Sequence, residues 1–142
     1  MIAYRGSPRK ERRPKSKEYE CTFFTTTFME AAQYAAGSKA WDDKGWGYVG
    51  KYDLGRQHLF DYDDQKLLDE IRGRFKLDWM DILPDEPTKL WVGILSSLGY
   101  SGTIDRDLDK VCVFDTSETE VIDIWRVWPS KTGLSWNKQS VM

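Results

Sequence analysis

The chain is poor in several residue types, and each shortage excludes a class. It has two cysteines in 142 residues, Cys21 and Cys112, and no C-x-x-C pair. That is too few for a disulfide scaffold. Both cysteines sit beside apolar or aromatic residues, so they are expected to be small buried hydrophobes. The lone histidine, His58, excludes a zinc site of the usual Cys/His kind and argues against a histidine-based nucleophile triad. No metal site is expected. Apolar runs fall far short of the roughly 20 residues of a membrane helix. The charged N-terminus lacks the apolar stretch of a signal peptide, so the expectation is a cytoplasmic protein with no membrane contact. There are no repeats and no low-complexity runs.

Aromatic residues are plentiful. Seven Trp, seven Tyr and six Phe make 14% of the chain, which excludes full disorder. A chain this long buries about two-thirds of its extended surface, enough for a core without staples. Tryptophans 41, 46, 79, 91, 125 and 128 are expected mostly in core or interface positions.

Charge is unevenly distributed. The net charge is -2. Residues 1–17 hold seven cations and one acid, Glu11, for +6, whereas the remainder carries -8. A basic head on an acidic body must face some anion.

Local patterns place the elements. Ile2–Tyr4 is a strand running into the Arg5-Gly6-Ser7-Pro8 turn, and residues 8–18 form an exposed basic loop. Cys21–Thr27 has the aromatic and β-branched content of a strand. Thr27 and Glu30 fit a capping box ahead of a helix over 28–36, which Gly37 stops. Strands are expected at Tyr48–Leu54 and Leu59–Phe60. Asp63 or Asp64 caps a helix running to Phe75, with Leu67, Leu68, Ile71 and Phe75 on one stripe. Pro87 suits the first turn of a further helix ended by Gly99. Strands at Gly102–Ile104, Val111–Asp115 and Glu120–Trp125 follow, and the tail from Pro129 is expected to fray. Helices and strands do not alternate regularly. That predicts one α+β domain with a mixed or antiparallel sheet.

Four segments in order resemble the ADP-ribosyltransferase superfamily. Ala3-Tyr4-Arg5-Gly6-Ser7 resembles its first motif, in the branch that carries Arg. Phe23-Phe24-Thr25-Thr26 with the helix bearing Tyr34 resembles the second. Leu98-Gly99-Tyr100-Ser101-Gly102-Thr103-Ile104 and Lys110-Val111-Cys112-Val113-Phe114-Asp115 look like the later strands of phage-borne members. The resemblance covers residues 2–125 and implies a split mixed or antiparallel sheet. It also implies NAD as substrate and transfer of ADP-ribose to a host or defence protein. Some members of this type inhibit CRISPR surveillance complexes.

Carried over residue by residue, the resemblance implies that Arg5, Gly6, Ser7, Phe23, Thr25 and Tyr34 bind NAD. Arg5 grips phosphate or ribose oxygens, Gly6 admits the carboxamide, Tyr34 stacks on the nicotinamide and Phe23 or Phe24 lines the other wall. The pattern breaks at Lys110, where the family has Glu, and at Ala31, where polymerase-branch members often have Ser. A carboxylate must stabilise positive charge on the ribose. Asp109 is the first candidate and Glu120, in Glu118-Thr119-Glu120, the second; Asp107 also lies close in sequence. Two other functions compete. Lys110 suggests an inactive member that keeps the fold to bind a partner. The basic head suggests a nucleic-acid-binding or -modifying protein, although the acidic remainder argues against broad nucleic-acid affinity.

Overall fold

The computed structural model describes residues 1–18, 20–40 and 44–142. Trp41 lies outside the described residues. The chain forms two compact units: residues 1–14, 24–55 and 118–142 in the first, and 15–23 and 56–117 in the second. Both are built of strands and helices, so the α+β class holds.

The first unit is one antiparallel sheet with a helix on one face. Strands β1 (Ile2–Ser7), β3 (Gly47–Asp53), β7 (Glu120–Ser130) and β8 (Gly133–Gln139) lie in the order β1-β3-β7-β8. Helix α1 (Phe28–Ala36) begins where expected, with the Thr27 hydroxyl accepting from the Glu30 amide. The Glu30 carboxylate pairs with Lys39. The buried helix face is Ala31, Ala32, Ala35 and Ala36, packed on Val49 and Val127. Small side chains allow the close approach. A methyl group on Gly47 would overlap the Ala35 carbonyl, and one on Gly6 would overlap the Ala31 carbonyl. Residues 129–139 are not a loose tail. They finish β7 and return as β8, pairing Pro129 with Leu134 and Val127 with Trp136. Strand pairing supplies what the Ser/Lys/Asn-rich composition did not signal.

The second unit carries the sheet β2-β6-β5-β4, made of β2 (Thr22–Phe24), β4 (Leu59–Asp61), β5 (Gly102–Asp105) and β6 (Lys110–Val113). β4 and β5 are parallel, while β5 and β6 form an antiparallel hairpin. A parallel pair needs a long crossover. Here it contains α2 (Gln65–Phe75), a short 3-10 turn (Trp79–Asp81) and α3 (Lys89–Ser97). Asp64 caps α2. Thr88, not Pro87, governs the start of α3, because its hydroxyl accepts from the Trp91 amide. Phe60, Tyr62, Leu68, Ile71, Trp91 and Leu95 dominate the core. Trp91 Nε1 donates to the Tyr62 hydroxyl at 2.9 Å, so the largest buried ring has its polar handle satisfied.

Cys21 and Cys112 are joined as a disulfide across 91 residues of sequence. This corrects the expectation that the two cysteines act only as small buried hydrophobes. The fold brings their Cα atoms to 5.3 Å, within bonding range. Disulfides persist in oxidising surroundings, so the pair gives no support to a cytoplasmic location. Among the described residues no helix is long and apolar enough to cross a membrane.

Candidate functional site

The first unit's sheet has two different faces. Gly6 abuts α1, and the Tyr4 ring meets Phe28 of α1 edge-on at 6.2 Å. Side chains alternate along a strand, so Arg5 points to the opposite face. There its Nε donates to Glu11 Oε1 at 3.1 Å, with both side chains about three-quarters covered. Glu11 belongs to the basic loop. Its carbonyl accepts a 2.7 Å bond from the Tyr52 hydroxyl, on the adjacent strand β3.

Tyr52 is 1% exposed. Burial, reinforced by the Glu11 charge and opposed by Arg5, holds its phenol far above the ordinary tyrosine range. It is therefore a proton donor throughout the neutral range.

The loop is fixed at further points. The Arg9 amide donates to Ser7 Oγ at 3.2 Å, and Lys44 Nζ donates to the Pro8 carbonyl. Arg13 Nε donates to the Thr119 carbonyl at 3.1 Å. Residues 8–14 thus form a strap from the end of β1 to the segment just before β7. Thr119 itself is 1% exposed, and its hydroxyl finds no hydrogen-bond partner among the described residues.

On the same face, Ser7 pairs with Tyr48 and Tyr48 with Arg126. The Trp46 ring carries two cations, Arg126 at 4.4 Å and Lys44 at 3.8 Å. Such contacts hold guanidinium and ammonium groups near a surface without neutralising them.

The sequence-predicted residues divide. Arg5, Gly6, Ser7, Thr25, Tyr34 and Glu120 belong to the first unit, whereas Phe23, Asp107 and Asp109 belong to the second. Thr25 bridges to Tyr4 through two backbone bonds, of 2.8 and 2.7 Å, so the first two motifs are neighbours. The Thr25 hydroxyl is turned to the Thr27 carbonyl at 2.9 Å. Tyr34 lies on α1, with Lys39 over its ring at 5.2 Å, and so on the far side of the sheet from Arg5. The face of Gly6 that a Cβ would occupy is filled by α1.

Glu120 opens β7 opposite Asp53, which in turn pairs with Ile2. It is therefore two strands from β1 in the same sheet. Asp109 sits at the tip of the β5–β6 hairpin with φ 48°. That left-handed conformation is one an aspartate tolerates, which gives a structural reason for the residue. Lys110 lies over the Phe23 ring at 5.3 Å. His58 stacks on Tyr100 at 4.5 Å, and its Nδ1 meets the Gly99 carbonyl at 2.9 Å, a structural role.

Two open grooves lie elsewhere. One, of about 620 Å³, runs between α1 and the β7–β8 turn and is lined by Met29, Gln33, Leu134 and Trp136. The other, of about 310 Å³, is lined by Lys17, Val92, Ser96 and Phe114. Neither is lined by a sequence-predicted site residue.

Glu11, Arg13 and Tyr52 are the site's members that sequence reasoning missed. One signal was present: Glu11 is the single acid among seven cations. A lone carboxylate in such a run is a natural partner for one of them. No family model matches the chain, and neither a curated protein nor a solved structure matches it.

Proposed function

We propose that the protein is an NAD-dependent mono-ADP-ribosyltransferase acting on a protein target. One observation carries the reading. Arg5 on β1 and Glu120 at the head of β7 flank the same central strand, β3. This puts a guanidinium suited to phosphate and a carboxylate suited to a developing cation in one sheet, with Glu120, in register with Asp53 and Ile2, towards the α1 side and Arg5 on the other. The two four-stranded sheets also accord with the split sheet that the resemblance implies.

The residues present suit an anionic ligand, since Arg5 already holds a carboxylate. In this role Arg5 binds the pyrophosphate, helped by the field of the strap cations. The Tyr52 hydroxyl, on the same face, donates its one proton to the Glu11 carbonyl and so positions the strap beside Arg5. Glu120 is preferred to Asp109 because it shares a sheet with Arg5. NAD, when bound, supplies the ADP-ribosyl group, with nicotinamide as the leaving group and a target side chain as the acceptor. Tyr34, which belongs to helix α1, is not assigned to this set.

The test is labelled NAD added with purified protein to a cell lysate. The expected outcome is a labelled protein band that disappears with Glu120→Gln and with Arg5→Gln. Absence of any label, together with no thermal stabilisation by millimolar NAD, would overturn the reading.

A further inference from the structure

We propose that the strap side of β1 is a phosphate-binding site whose resident ligand is the chain's own Glu11. This rests on the NAD reading only for the identity of the physiological ligand. The geometry itself concerns any phosphate or pyrophosphate group.

Three observations meet here. First, the Glu11 carboxylate occupies the Arg5 Nε at 3.1 Å, a charge-assisted contact of the kind an incoming phosphate oxygen makes. Second, Glu11 is carried on a removable element. The strap has no regular secondary structure, and the contacts described above hold it at isolated points, at Tyr52 near Glu11 and at Thr119 beyond it. Third, the surroundings are cationic. Arg9, Lys10, Arg12 and Arg13 are exposed on the strap, and Arg126 and Lys44 lie over Trp46 on the same face. Glu11 is the strap's only acid. An anion that displaces it therefore enters a field of one sign.

Displacement keeps Arg5 paired with an anion, and a pyrophosphate brings more negative charge than the single carboxylate it replaces. A phosphate offers more acceptor oxygens than a carboxylate and matches the guanidinium fork bidentately. The released strap then places its own cations around the ligand. Glu11 thus sets a threshold: weak anions fail to open the strap and a pyrophosphate succeeds.

Titration calorimetry of the full chain at low salt, with inorganic pyrophosphate as the probe, decides the point. Glu11→Gln removes the competing charge and keeps the size. It is expected to bind pyrophosphate about fivefold tighter than the wild type, the scale of one partly exposed ion pair. Arg5→Gln added to Glu11→Gln is expected to abolish that gain. Arg13→Lys loosens the far end of the strap while keeping its charge and without touching Arg5, and is expected to give a smaller gain in the same direction. It serves if Glu11→Gln fails to fold.

Equal affinity in the wild type and the variants would overturn the proposal, as would a gain that survives Arg5→Gln. A parallel titration with NAD separates the two readings. A pyrophosphate gain with no NAD binding in any variant supports the internal ligand and overturns NAD as its displacer.

Discussion

Gly6 lies so close to Ala31 that a methyl group on the glycine would overlap the alanine's carbonyl oxygen and stand 2.9 Å from the Ala35 amide nitrogen. The residue following Arg5 is thus fixed by helix packing, whatever ligand the other face binds. Gly6→Ala is expected to push α1 off the sheet and cost about 1–3 kcal/mol, the usual range for overpacking. Denaturant unfolding measures it. A variant as stable as the wild type would show that α1 is not seated on β1 as described.

The disulfide has a measurable signature. Cys21 and Cys112 close a loop spanning 91 residues, and losing such a bridge typically costs about 2–5 kcal/mol. Adding reductant, or replacing both cysteines with Ser, is expected to lower the melting temperature, the two treatments acting alike. Unreduced protein should resist alkylation even when unfolded. Alkylation of both thiols under those conditions would refute the pairing.

Tyr62 predicts alkaline sensitivity. Burial raises its phenol from the ordinary 10.0 to about 12, although the Trp91 hydrogen bond opposes the shift. The native state therefore keeps a proton that the unfolded chain releases. Stability from this group is complete below pH 10 and is lost as pH rises towards about 12. The slope reaches about 1.4 kcal/mol per pH unit in that window. Tyr62→Phe is expected to flatten it partly, because Tyr52 shifts in the same direction. The same variant leaves Trp91 Nε1 unpaired in the core, at a cost of about 1–3 kcal/mol at neutral pH. Urea midpoints compared at pH of about 8 and about 11 test both statements. A wild-type midpoint that does not fall at the higher pH would contradict the Tyr62 environment.

Much of the local structure was legible in the sequence. Helix α1 has the expected bounds, 28–36, because its cap, its alanines and its stop lie within one short window. Asp64, Gly99 and the β-branched runs likewise signalled their elements. The tail was misread because β8 is held by cross-strand partners, Trp136 on Val127 among them, and not by its own composition. Helix α3 starts at Lys89, beyond Pro87, because the Thr88 hydroxyl caps it by accepting from the Trp91 amide. The candidate site was legible only in part. Arg5 announced itself as a cation at a strand end, whereas its partner Glu11 looked like a stray acid.

The basic head, the acidic body, the α+β class and most element boundaries follow from residues near one another in the chain. Propensity, capping and periodicity act over a few residues. The tertiary structure alone decided what depends on distant residues meeting. It joined Cys21 to Cys112, put Arg5 and Tyr34 on opposite faces of one sheet, and laid Glu11 on Arg5 while Arg13 reached Thr119. These relations arise from strand register and from which face a helix covers. A register shift of one residue would turn Arg5 towards α1, and no local pattern in the sequence records that choice.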